Sequence, residues 1–345
     1  MPRKPLALLT TTAPRGTVAS LPYAAPLEQA GYTVEQRVIV ESSSLRQLLY
    51  TLRIGARIRR YRLIVANEYS TAIGLGLLAL LFRAKARMVV LSLNLSRRAF
   101  KFPFPPLQHL IDGALRRYDA IVVHSQPEVA GFVALHGLSA SRFHVIPWGF
   151  DLPEFDREPL PGLPPRYICV IGRNNRDFAT AAAALAGTGV GGVFVGAPKN
   201  FESGDPEIRC FESLPFEDCL RIMAGALANA ILLKDETRGA GHITAVAGML
   251  LERPHIFSAA DTLSGYLLDG HHGIAVPLHD EVAVRNAIRR LASDPELAAR
   301  LGKTGRKHAL REMSHAVFMK RIAQVILGTG AYLTGSQQAV GARLE

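Results

Sequence analysis

A chain of 345 residues, 48% hydrophobic and 20% charged, can bury enough apolar surface to fold and is too long for one ordinary core. That excludes a disordered chain and favours two domains of similar size. The net charge of +11 lies wholly in the first half: residues 1–150 hold 19 Lys and Arg against 7 Asp and Glu, and the remainder hold 21 against 22. The three cysteines, Cys169, Cys210 and Cys219, have no ligand spacing and are too few for a disulfide framework. They read as reduced thiols of a cytoplasmic protein.

The predicted elements alternate short β-type runs with amphipathic stretches, as parallel sheets flanked by helices do. In the first half, strands are expected at 6–10, 33–40, 63–66, 87–93, 120–123 and 142–147. Helices are expected at 18–30, 45–61, 71–82, 107–117 and 128–136. The longest apolar run, 73–82, is well short of the about 20 residues needed to cross a bilayer, and no N-terminal stretch reads as a secretory signal. Five prolines between 153 and 165 fix φ and remove donors, so 152–165 reads as an extended linker. A second series follows, with strands at 166–172, 192–195, 208–211, 230–233, 255–258 and 273–276. Its helices are expected at 178–186, 216–224, 243–251, 281–292 and 295–310. A last amphipathic helix at 314–327 precedes a Gly, Ser, Gln and Ala tail, 331–345, expected to be disordered.

Three segments carry chemistry. Residues 119–151, DAIVVHSQPEVAGFVALHGLSASRFHVIPWGFD, join a buried strand ending in Ser to a helix and then to a short strand ending in Pro-Trp-Gly-Phe-Asp. At 170–178 a strand exits through Gly172 into a loop with Arg173 and Arg176 and opens a helix near Asp177. Helix starts and Arg forks both suit phosphate oxygens, although an arginine pair beside a capping Asp177 explains the same residues. At 239–254, GAGHITAVAGMLLERP, a helix starts at a glycine and again offers free backbone N–H groups.

Together these segments resemble the large GT-B family of retaining, nucleotide-sugar-dependent glycosyltransferases. The resemblance covers most of 119–310; in 1–118 it rests on element order alone. It implies an α/β GT-B fold of two doubly wound Rossmann-like domains facing a cleft: an acceptor domain at 1–151 and a donor domain at 166–312. The helix at 313–330 would cross back. It also implies transfer of a sugar from a nucleotide-sugar co-substrate, with no metal or other cofactor. The donor diphosphate would meet Gly172 and Arg173, with Arg176 or Lys199 in place of the family's usual Lys. It would also meet Gly241, His242, Ile243 and Thr244 at the helix start, with His242 beside the donor.

The chain departs from the family at Ala247, where members carry the Glu that grips the donor ribose, and at Glu252, where they carry a small turn residue. Glu236 or Asp235 is the candidate replacement for the missing carboxylate. The 268–277 hairpin and the 280–306 helix pair also match, as scaffold; the adjacent His271 and His272 read as structural rather than metal ligands.

In the first half, Glu68 follows the third strand and can orient or deprotonate an acceptor hydroxyl, or serve only at a helix start. Asn94 is expected as polar lining, and 10–16 keeps only Gly16 of the family's glycine loop. The arginines of 45–61 and the Arg/Phe-interleaved 96–104 suit an anionic membrane surface or a lipid-linked acceptor, as they suit ordinary solvated faces. A cytoplasmic protein, peripheral on the inner face of the membrane, is the expectation. Nucleic acid is disfavoured, because no recognition motif accompanies the charge. A nucleotide-sugar epimerase or hydrolase, or a non-catalytic binding protein favoured by Ala247, stays open beside the transferase.

Overall fold

The computed structural model describes residues 4–12, 23–39, 43–93, 105–236 and 239–329. Gly16, Asn94, the 96–104 segment, the start of the first expected helix and the 331–345 tail lie outside them. The chain divides into two units, Met1–Ile146 with Met319–Glu345, and Pro147–Phe318.

The first unit runs β1 (Leu6–Thr12), α1 (Ala24–Gln29), β2 (Thr33–Ile39), α2 (Ser44–Leu52), β3 (Tyr61–Asn67), α3 (Tyr69–Leu81), β4 (Arg87–Leu91), α4 (Pro105–Leu115), β5 (Ala120–Val123), α5 (Gln126–His136) and β6 (Phe143–Val145). Among the described residues its strands form a parallel sheet in the order β2-β1-β3-β4-β5-β6. The central strands are unbroken aliphatic runs because parallel strands between helices are buried on both faces. Ile64, Val90 and Ile121 meet Leu75, Ile111 and Phe132 of the helices in one core. The Ser125 and Glu128 pair closes the start of α5: the Glu128 carboxylate accepts from the backbone N–H of Ser125 (2.8 Å) and His124 (3.1 Å).

The single helix expected over 45–61 is instead two pieces. α2 stops at Leu52, and a separate 3-10 helix covers Gly55–Arg60. Gly55 is left-handed (φ +52), a conformation that interrupts the α-helical bonding. The break lets Ile54 and Ile58 turn into the core.

The second unit runs β7 (Tyr167–Ile171), α6 (Phe178–Leu185), β8 (Gly191–Val195), β9 (Ile208–Phe211), α7 (Phe216–Gly225), β10 (Ala228–Ile231), α8 (His242–Leu250), β11 (His255–Ser258), β12 (Gly273–Val276), α9 (Glu281–Ser293) and α10 (Pro295–Glu312). Its strands form a parallel sheet in the order β12-β11-β10-β7-β8-β9. Asp177, Asp280 and Asp294 cap α6, α9 and α10 by accepting a backbone N–H three residues on. The proline-rich segment has no regular element, and Phe155, Leu160 and Leu163 pack against the β7 and α7 core.

The last helix, α11 (His315–Leu327), begins in the second unit and ends in the first. Its final carbonyls, Val325 and Ile326, accept from the Arg87 guanidinium (3.0 and 3.2 Å), a cation where the helix dipole favours one.

Each sheet reverses its winding once, between β1 and β3 in the first unit and between β7 and β10 in the second. Open α/β sheets bind ligands beyond the carboxyl ends of the strands at such points.

Candidate functional site

The switch point of the second sheet is built from the loop after β7. Gly172 leaves the strand at φ +131, and its N–H donates to the Val195 carbonyl (2.9 Å). The loop then folds back on the end of β10: Arg176 bridges to Leu233, and the Asp177 N–H donates to Leu232 (2.9 Å). Asn175 makes the fold-back possible. It is buried in the left-handed conformation (φ +57), which Asn tolerates, and its amide donates to the Asp235 carbonyl (2.8 Å).

This path carries Arg176 inside, where it is 4% exposed. Its Nε donates to the Ile171 carbonyl (3.1 Å) and Nη1 to the Asn174 carbonyl (3.0 Å). Among the described residues no carboxylate lies within ion-pair range of it. Burial without a counter-charge pulls its pKa down to about 10, so it stays charged at neutral pH. The remaining nitrogen, Nη2, is bracketed by glycines: a Cβ on Gly172 would lie 2.9 Å from it and one on Gly241 3.3 Å. Gly241 is itself left-handed (φ +92) and caps α8, which starts at His242. A buried unpaired cation, two bare backbone surfaces and a helix start therefore meet at one place, a combination that favours an anion.

The other expected residues fall around this centre. Thr244 Oγ1 is 3.4 Å from the Ile171 carbonyl that Arg176 also uses. Ile243 is half exposed on the first turn of α8. His242 is buried: its Nε2 donates to the Thr262 carbonyl (3.0 Å) and its ring stacks on Tyr266 at 4.3 Å. Burial, reinforced by the nearby Arg176 charge, lowers its pKa to about 4. The ring is thus neutral with Nδ1 as its bare acceptor. Arg173 points elsewhere, exposed and donating to Ser213 Oγ (2.7 Å). Lys199 is paired with Glu212 (3.4 Å) and mostly exposed. Glu236 is exposed beyond β10. His272 lies tilted against His308 (4.6 Å) and accepts from the Leu268 N–H (3.3 Å); among the described residues no group of three or more metal-binding side chains occurs.

Ala247 is fully buried among Cys169, Val195, Leu220 and Leu251. A carboxylate at this position would enter the core. Sequence reasoning missed Asn175 and Tyr266; the one available signal was an Asn inside a strand-to-helix loop.

The first sheet's switch point is different. Thr10 Oγ1 donates to the Val65 carbonyl and the Asn67 amide to Thr11 Oγ1 (both 3.2 Å). Among the described residues Asn67 Oδ1 is buried without a partner. Glu68 follows at φ 70 and ψ 160, a region nearly restricted to glycine and costing about 1–3 kcal/mol for other residues. Its carbonyl accepts from Ala72 N–H (3.1 Å) and Thr71 Oγ1 (3.0 Å), which fixes the start of α3, and its side chain is exposed. Near the end of β4, Ser92 Oγ sits 3.0 Å from His124 Nε2, while His124 Nδ1 donates to the Ile146 carbonyl (2.9 Å).

No protein-family model matches the sequence, and no curated protein matches it either. Solved structures do match along nearly the whole chain. HepE of Anabaena, in complex with UDP and glucose, is 16% identical over 94% of this chain and 99% of its own, with a TM-score of 0.67. A sucrose-phosphate synthase from Thermosynechococcus elongatus is 18% identical over 99% and 100%, at 0.65. A glycosyltransferase from Rickettsia africae is 12% identical over 95% and 100%, at 0.68. The chain therefore has the α/β GT-B fold, with two parallel six-stranded sheets.

Proposed function

We propose that the chain is a glycosyltransferase that holds a nucleotide-sugar by its diphosphate in the second unit and delivers the sugar to an acceptor hydroxyl. The observation that carries this reading is Arg176, a buried guanidinium lacking a carboxylate partner, at the start of α8. An enzyme that breaks the bond between the anomeric carbon and a diphosphate must stabilise the charge gained by the leaving oxygen. Preorganised donors in a dry site do this without reorganising. Arg176 and the free N–H groups at His242, Ile243 and Thr244 supply such donors, while Arg173, now on Ser213, and Lys199, now on Glu212, are the cations that a bound diphosphate would have to recruit. The neutral His242 adds none and lines the site beside Tyr266. The UDP and UDP-glucose bound by Anabaena HepE are compatible ligands.

The acceptor is assigned to the first unit, a glycan or a lipid-linked anion. Glu68 is the group to orient its hydroxyl, or to take the proton lost when that oxygen attacks. We infer retention, since a mechanism in which the leaving diphosphate governs attack needs no protein nucleophile.

Helix α2 supports an anionic membrane as the acceptor's setting. Leu45, Leu49 and Leu52, spaced along one stripe, are 64%, 54% and 36% exposed beside Arg46 and Arg53, the pattern of a helix lying on headgroups. No helix among the described residues is long and apolar enough to cross a membrane.

A thermal-shift screen against UDP, GDP, ADP, TDP and CMP tests the reading. One nucleotide raises the melting temperature, and Arg176→Gln removes the rise. A donor consumed without acceptor would instead favour the hydrolase or epimerase.

A further inference from the structure

At the opposite edge of the second sheet from Arg176 lies a cavity of about 410 Å³. It opens where the chain enters β7, β10 and β11, and helices α9 and α10 close its far side. Five basic side chains line it, Arg157, Arg166, Arg253, Lys303 and Arg306, against a single carboxylate, Glu252. The second half of the chain is close to neutral overall, so this is a local concentration of charge and not a share of the excess carried by the first half.

Two details indicate a built site. Among the described residues Arg253 Nε is buried with no hydrogen-bond partner, and its Nη1 reaches only the Ala226 carbonyl at 3.4 Å. Glu252 stands left-handed (φ +57) in the turn from α8 to β11, where glycine would sit without strain. It is wedged there by α10: a Cβ on Gly302 would collide with the Glu252 carbonyl. In that strained position its carboxylate holds Arg306 at 3.1 Å over the rim. Retained strain is a pointer to function. Leu227, Leu251 and Leu291 contribute apolar lining beside the charges, and the volume suits a small organic molecule.

We propose that this cavity binds a soluble, multiply charged organic phosphate, at a site separate from the switch point and independent of the donor reading. Guanidinium forks match phosphate oxygens in pairs, and the surplus of cations requires a ligand with more than one negative charge. Fructose 1,6-bisphosphate serves as the probe, titrated calorimetrically into the full chain. Binding is expected in the wild type and in Arg176→Gln, weakening as salt rises. It falls at least about tenfold in Arg157→Gln/Lys303→Glu, both exposed positions whose replacement leaves the core intact. Arg253→Gln is the second variant, with circular dichroism to verify its fold. Absence of binding, equal binding in the pocket variants, or loss of binding in Arg176→Gln would overturn the proposal. Cosedimentation with phosphatidylglycerol vesicles separates the sources. Sedimentation that needs Lys303 and Arg157, with no binding of the bisphosphate, would assign the cavity to a lipid headgroup and overturn the soluble ligand.

Discussion

At the second sheet's switch point, a guanidinium lies between two glycines and bonds only to carbonyls. At the first sheet's switch point, Thr10, Thr11 and Asn67 bond among neutral groups, and the charge arrives on an exposed carboxylate, Glu68. The topology is the same and the chemistry opposite. A parallel sheet that reverses its winding offers an opening whatever its sequence; the side chain carried into the opening decides what enters. The second unit presents an unpaired cation and suits a diphosphate. The first presents hydrogen-bonding neutral groups with a carboxylate and suits a hydroxyl.

The largest expected effect tests whether α8 turns its missing carboxylate toward the ligand or toward the core. Ala247→Glu drives a carboxylate among Cys169, Val195 and Leu220 and costs about 3 kcal/mol or more, read as a drop in the urea midpoint. A stable variant with tighter nucleotide binding would show instead that this face of α8 belongs to the site.

Acid comes next. Burial holds His242 and His255 near 4, against 6.5 in an open chain. As pH falls the unfolded chain takes up these protons first. Stability is therefore complete above pH 6.5 and lost as pH drops from 6.5 toward 4. His255 alone contributes on the order of 3 kcal/mol to that loss. Denaturant midpoints at several pH values follow it, and His255→Phe should make the profile shallower while His242 keeps part of the slope; a profile already flat in the wild type contradicts the assignment.

Gly241→Ala should cost about 1–2 kcal/mol for its left-handed backbone, besides pressing on Ile231 and Arg176. It should weaken nucleotide binding as well. The smallest effect has the opposite sign. Glu68→Gly relieves a backbone that only glycine adopts freely and should stabilise by about 1 kcal/mol or less. Transfer should fall while nucleotide affinity holds. A stabilised variant with full transferase activity would reduce Glu68 to a helix start.

Much of the fold was legible because short β-type runs between turn residues announce themselves: 255–258 and 273–276 form β11 and β12 at those positions. The division of 45–61 was also present, in Gly55, but an arginine-rich helical period obscured it. The site was less legible. The pattern put Arg173 first and left Arg176 as an alternative to Lys199; what carries Arg176 inside is its bridge to Leu233, a pairing between residues 57 positions apart that local pattern does not encode. Ala247 read as a lost ligand contact, whereas its surroundings come from β7, β8 and α7. The basic cavity escaped the sequence because its five cations lie scattered from 157 to 306 and meet only in the fold.

The two switch points differ most sharply if the second holds a nucleotide diphosphate through Arg176 and the first does not. Calorimetric titration of UDP into the wild type, Arg176→Gln and Glu68→Gln tests it most directly. Binding is expected in the wild type, with a loss of about 2 kcal/mol or more in Arg176→Gln and no change in Glu68→Gln. Equal affinity in the wild type and Arg176→Gln, or a loss in Glu68→Gln alone, would contradict it.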